Sequence, residues 1–538
     1  MRVAPTAPAA PLNEPPAPIP PVHASDIKSG QAARLTMGRQ FDTAAPAPAK
    51  YAADDPVVAR KVFVWGTGEA GQLSLGPPDD DNINKLTKAK PFGNKELSVL
   101  TDDGKLGVGG AQLIAAGGMH TLLVDANGRI LSCGSDDHGT LGRAHRSTEE
   151  SEDEGYYVLR ELDGISPSGK GISGGEPPQG GEQGPVRLFR ATRAVASDGF
   201  SAALNSAGEL LCWGHFKDGE GKVCFSDTDE DGAPREQWWP VPIPALQHER
   251  FAQVACGENH VLALTLDGRV YSWGLNSVSQ LGRFANQYHV RQRFTRRDPP
   301  ASMHLTPAAI PELRNIVRIA SGLNTSFAVD RDGHVFAWGL NTRGQTGTGL
   351  KKDRLTRPTR VRALDPAHHG GAHVVQIAGG EFHTVFLLAN GHILVCGDGD
   401  EGKLGLPATH PALEGKGTPP VLLSPVQVPV PAPPEWAPAG AKTADGGTAI
   451  VGIAAGMRFS FALAADGTLY SWGTTSDEAM GQPAEEWGAD QSKATPTAVA
   501  MPGAPGAWTV VSVATAGQHS LALAVLSLIH ISEPTRPY

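Results

Sequence analysis

Val254 to Arg283 reads VACGENHVLALTLDGRVYSWGLNSVSQLGR, and the plan of this stretch recurs along most of the chain. An apolar entry leads into a small-residue turn and a polar loop, Ala255-Cys256-Gly257-Glu258-Asn259-His260. The apolar run that follows has the length of a strand. Leu266-Asp267-Gly268-Arg269 is a D-G hairpin turn, and Val270-Tyr271-Ser272-Trp273-Gly274 is a second strand. The unit ends in Gln280-Leu281-Gly282, with glycine where a chain leaving a strand bends sharply and a Cβ would clash.

The turn, followed by an aromatic or cysteine and a glycine, returns at Gly128 to Gly134, Gly208 to Gly214, Gly333 to Gly339, Gly391 to Gly397 and Gly467 to Gly473. Lys61 to Gly66 supplies a second strand with no first, whereas Val513 to Leu523 supplies a first strand with nothing recognisable after it. Counted together, Trp65, Cys133, Trp213, Trp273, Trp338, Cys396 and Trp472 mark seven second strands for seven first strands, provided both ends of the chain complete one unit. A period of about 50 to 60 residues of short antiparallel strands belongs to propellers or solenoids, and ring closure removes the open sheet edges. The expected fold is therefore all-β, a seven-bladed β-propeller over residues 61–525 with the termini sharing one blade. Strands ending in W-G rather than W-D, and the missing kelch spacing, set it apart from those two propeller classes.

Composition agrees. Gly 65 and Pro 44 in 538 residues suit many turns, and the 19% charged fraction suits sheets packed face to face. Five cysteines without a C-x-x-C pair fit free thiols in a reducing compartment. No apolar run reaches membrane-spanning length and no signal-peptide pattern opens the chain, so a monomeric protein without membrane contact is expected. The net charge of −10 argues against nucleic acid over the whole surface and leaves room for local basic patches. No nucleophile elbow, metal-ligand spacing or phosphate loop is present, so no cofactor, no metal and no bond chemistry are expected. Gly66-Thr67-Gly68-Glu69-Ala70-Gly71 matches G-x-G-x-x-G, but the other repeats show this segment to be a blade turn.

The repeat resembles that of the regulator of chromosome condensation family, and within it the Ran guanine nucleotide exchange factors of fungal type. Gly117-Gly118-Met119-His120-Thr121, Trp213-Gly214-His215-Phe216-Lys217-Asp218 and Gln280-Leu281-Gly282-Arg283 carry the likeness. The resemblance implies a protein that binds Ran and promotes GDP release on chromatin in the nucleus, in support of nucleocytoplasmic transport and nuclear assembly. The alternative is a ring that serves as a protein-binding scaffold without exchange activity.

Departures from the repeat mark the remaining sites. Residues 1–60 are rich in Pro and Ala with few large apolar groups, and a disordered tail is expected. Residues 144–185 form an acidic, Gly-rich insertion. Residues 215–225 replace a Gln-Leu-Gly ending with what reads as a protruding hairpin, its Phe216 exposed between charges and suited to entering a partner. The resemblance makes Phe216, Lys217 and Asp218 the wedge that acts on Ran. Residues 283–300 hold Arg283, Arg291, Arg293, Arg296 and Arg297, a basic patch that the resemblance implies reaches the histone surface of the nucleosome. Residues 526–538 show no blade pattern and read as an unstructured, non-native end. The loops that open the first strands share one face of the ring. There the resemblance assigns Glu69, His120, Asp198, Asn259 and Phe382 to the GTPase.

Overall fold

The computed structural model describes residues 11–29, 31–40, 58, 60–67, 72–74, 88–89, 98–99, 105–106, 109–143, 158–162, 164–166, 187–225, 237–283, 303–432, 442–443, 446–474, 479–482, 492–503 and 506–527. Seven antiparallel sheets follow one another around a channel. Blade one runs from Ala111–Ala116 to Arg160–Glu161, blade two from Ala191–Ala196 to Gln237–Val241, and blade three from Phe251–Cys256 to Met303–Ala309. Blade four runs from Ile316–Ser321 to Arg354–Arg360, blade five from Val374–Gly379 to Val421–Gln427, and blade six from Ile450–Ala455 to Ser492–Ala498. Blade seven joins Trp508–Thr515 and His519–Leu526 to Lys61–Thr67, with Gly66 opposite His519 and Lys61 opposite Ala524. The split unit of the sequence is thus one blade.

Blades one to six have four strands each, two more than the repeat suggests, and blade seven carries two short outer pieces, Lys88–Ala89 and Ser98–Val99, on Lys61–Thr67. The apolar entry is itself the innermost strand, and it reads as half-buried because one of its faces lines the channel. The hairpin turn between the second and third strands is set by a side-chain acceptor before the glycine. Asp125 Oδ1 accepts from the Asn127 and Arg129 amides at 2.8 and 2.9 Å, and Asp330 Oδ1 from those of Asp332 and His334 at 3.0 and 2.8 Å.

Neighbouring blades are fastened at the opposite end by a shared carbonyl. In the turn ending blade three, Gln280 O accepts from Ser326 Oγ at 2.7 Å and from the Trp338 indole at 2.9 Å, both in blade four. Gln72, Gln345 and Ala479 carbonyls each hold a hydroxyl of the next blade, and Trp65, Trp213 and Trp472 indoles donate to Ala479, Thr140 and Lys403. Histidines at the start of the second strand complete the fastening. His120, His260, His383 and His519 place Nε2 at 2.7 to 2.9 Å from Ser201, Ser326, Ser460 and Thr121. Because Ser326 donates its own proton to Gln280, His260 must donate through Nε2, and burial, which lowers its pKa to about 3, holds it neutral. The closing glycine has a reason beyond its bend. At Gly282, φ +64°, an added Cβ would lie 2.5 Å from the Trp338 indole nitrogen.

The expectation of a disordered tail over residues 1–60 is corrected in part. Residues 11–29 and 31–40 lie on the ring at the turn end, with helices α1 Ala24–Lys28 and α2 Ala32–Gln40. Asn13 Nδ2 bonds the carbonyls of Thr265 and Ile316, and Arg193 reaches Ala17 O. Ile19, Val22, Ile27 and Met37 are buried among blade residues, Met37 against Gly452. Few large apolar groups suffice because the ring presents receptive apolar sites that composition does not reveal.

Candidate functional site

The channel is a cavity of about 510 Å³, walled by the innermost strands. Its mouth is built by one turn repeated seven times, in which the residue ending the inner strand donates to the carbonyl that opens the second. Gly117 to His120, Ser197 to Phe200 and Gly257 to His260 are each 2.8 Å; Gly322 to Thr325, Gly380 to His383 and Gly456 to Phe459 are each 2.9 Å; Ala516 to His519 is 3.3 Å. Two residues at each tip therefore form the rim. They include Met119, Asp198, Glu258, Leu323, Glu381 and Met457, all at the cavity or its edge.

Three carboxylates and three large apolar side chains thus meet around one opening. Asp198 is exposed, yet the concave mouth withdraws part of its hydration and raises its carboxyl, with Lys217 opposing and Asp137 adding to the rise. Burial also raises Glu258; the Asn324 amide, 3.1 Å away, opposes this, while Asp198 and Glu381 add to it. Such a rim suits docking of a surface that carries cations beside apolar groups.

Several expected positions lie elsewhere. His120 is wholly buried in the fastening between blades one and two, and burial lowers its pKa to about 3, so it does not face a partner. Asn259 is also buried, because its Oδ1 accepts the Lys217 amide at 2.7 Å. Asp198 stands on the rim as expected, and Phe382 is half-buried at the blade five tip. Glu69, Arg291, Arg293, Arg296 and Arg297 lie outside the described residues. Arg283 is half-buried, its Nη2 donating to Thr306 O at 3.1 Å, and burial lowers its pKa to about 10.

The hairpin exists. Phe216–Lys217 pairs with Val223–Cys224, and Asp218 Oδ1 caps the tip by accepting the amides of Glu220 and Lys222 at 3.0 and 2.7 Å. The exposed aromatic does not: Phe216 is fully buried, against Phe200, because it anchors the base of the hairpin. Lys217, Gly219, Glu220 and Gly221 are exposed instead. The rim residues Glu258, Leu323, Glu381 and Met457 escaped the sequence reading. Aligning the repeats on the glycine three residues before the second strand would have found them as the two-residue tip.

The chain matches the model of the RCC1-like domain over residues 61–522. It is 30% identical over 438 residues to the guanine nucleotide exchange factor SRM1 of Saccharomyces cerevisiae, covering 78% of this chain and 79% of that protein. It is 29% identical over 437 residues to protein pim1 of Schizosaccharomyces pombe, covering 79% of this chain and 68% of the relative. The crystal structure of Saccharomyces cerevisiae Prp20p, described with its binding to Gsp1p and histones, superposes with a TM-score of 0.67 at 25% identity, over 88% of this chain and 92% of that one.

Proposed function

The chain belongs to the family of proteins built on the RCC1-like domain, and from that membership we propose that it is a guanine nucleotide exchange factor for the small GTPase Ran, acting on chromatin in the nucleus. An exchange factor works by linkage. It binds the GTPase better empty than loaded, so it weakens the nucleotide by the factor by which the nucleotide weakens it. A 10⁵-fold acceleration requires about 7 kcal/mol of such coupling, at about 1.4 kcal/mol per decade. No bond need be made or broken for exchange of this kind.

The observation that carries the reading is the hairpin at Phe216–Cys224, the one described blade end that departs from the repeat, standing beside the rim carboxylate Asp198. In this reading Asp198, Glu258 and Glu381 dock the GTPase with Met119, Leu323, Phe382 and Met457. The hairpin tip, Lys217 to Gly221, disturbs its phosphate-binding loop, whose amides and lysine hold the nucleotide. Glu69 belongs to the same docking face, and the arginines of residues 283–300 supply the contact with histones. Release of a fluorescent GDP from loaded Ran tests the reading: acceleration by catalytic amounts of the chain supports it. A chain that binds Ran through this face without acceleration is a scaffold.

A further inference from the structure

The joint between blades two and three differs from the other six. Elsewhere a turn carbonyl of one blade accepts a hydroxyl, indole or thiol of the next, at Ala479, Gln72, Thr140, Gln280, Gln345 and Lys403. Among its described residues blade two has no such turn, and the hairpin stands in its place. Its partners are changed as well. Phe200 stands where a histidine opens four of the other second strands, and Val261, alone among the seven, where a hydroxyl would receive that histidine. The Trp273 indole N–H, fully buried, has no acceptor among the described residues.

What fills the joint is apolar. Phe200 stacks on Phe216 and Phe225, with centroids 4.7 and 6.1 Å apart, and meets Trp273 edge-on at 6.3 Å. At the turn end the two blades remain tied, Phe251 N donating to Gly208 O at 2.8 Å. The joint is thus tied at the turn end, and at the mouth it is held by this packing together with one bond that the hairpin itself supplies, the Lys217 amide donating to Asn259 Oδ1 of blade three at 2.7 Å. The hairpin stands at this end, flanked by Asp198 of blade two and Glu258 of blade three.

We infer that this joint replaces the shared carbonyl of the other six with aromatic packing and the hairpin's own bond, and that Phe200 and Trp273 are positioning residues that set the hairpin for nucleotide release. The inference rests on the exchange reading for its kinetic part only. Phe459 provides the control, since it occupies the same position in blade six, where the Ala479 carbonyl keeps its partners and no hairpin follows among the described residues. In the full chain, Phe200→Leu is expected to lower kcat for GDP release by about ten- to a hundredfold with KM little changed, as small misplacements do. Phe459→Leu should leave kcat as it is. Equal loss in the two, both folded by circular dichroism, would mean a purely structural role and overturn the assignment. Independently of any activity, Trp273→Phe should lower the melting temperature less than Trp338→Phe, because both lose buried ring volume but only Trp338 also loses a hydrogen bond. If both fall alike, the joint is fastened like the rest and the inference is refuted. A parental chain that releases no nucleotide would sink the exchange reading while the tryptophan pair still decides the joint.

Discussion

Phe216 and Phe200 lie face to face, centroids 4.7 Å apart and planes 17° apart, so the residue most suggestive of a partner contact is the anchor of its own hairpin. Anchor and tip should therefore separate in experiment. Phe216→Ala leaves a cavity in a packed cluster and is expected to cost about 3–5 kcal/mol of stability. Replacing Asp218-Gly219-Glu220-Gly221 with a Gly-Ser linker should keep the melting temperature and slow GDP release from Ran by orders of magnitude. Parental release from the tip variant would refute the tip as the acting element.

The rim carboxylates carry opposing effects. Asp198 and Glu258 sit with raised carboxyls and repel each other, so Asp198→Asn should leave the free ring as stable or more so. Docking should suffer. Asp198→Ala is expected to raise the concentration for half-maximal exchange by the equivalent of about 1–3 kcal/mol, as for a hydrogen bond to a charged group. An unchanged titration curve would remove Asp198 from the interface.

Acid should loosen the fastenings. Burial lowers the pKa of His120 and His260 to about 3 and that of His383 and His519 to about 4, against 6.5 when unfolded. The unfolded chain binds more protons between those values, so stability is full above pH 6.5 and falls as pH drops toward 4. Each histidine contributes a slope of about 1.4 kcal/mol per pH unit. His260→Gln should flatten the decline by one such share; denaturant midpoints measured from pH 7 to pH 4 give the slope.

Closure makes the two chain ends interdependent. Deleting residues 508–538 removes two strands of blade seven and leaves Lys61–Thr67 with half its partners, so the cooperative melt should be lost. A parental transition would contradict the paired register.

The arginine-rich loop should separate from exchange. Changing Arg291, Arg293, Arg296 and Arg297 to Ala is expected to weaken nucleosome binding and lower its salt dependence, leaving release on free Ran unaltered. Equal loss of both would merge the two sites.

The ring was legible because each repeat states its own turn chemistry: a D-G or N-G turn, a W-G strand end and a Q-L-G bend fix strands without reference to distant residues. The innermost strand was half-visible only, since residues lining a channel alternate less cleanly than those in a sealed core. The site was harder to read for a different reason. Whether Phe216 faces water depends on Phe200, Phe225 and Trp273, which meet it only once blades two and three are side by side. The clue was present in two departures at this joint, Val261 where every other blade has a hydroxyl and the loss of Gln-Leu-Gly. His120 misled in the opposite direction, since a polar residue beside a loop looks accessible until its acceptor, Ser201, arrives from the next blade.

Pairing Gly66 with His519 also sets a clock on biosynthesis. About 450 residues separate the partners, so at roughly 5–20 residues per second the first strand waits some 20 to 90 s on the ribosome for its neighbour. Throughout that interval Val62, Val64 and Trp65, all buried in the finished ring, lie along an unpaired edge. Until its last strand emerges that edge is open to pairing with another chain, and a strand-edge binder added during translation should compete with closure.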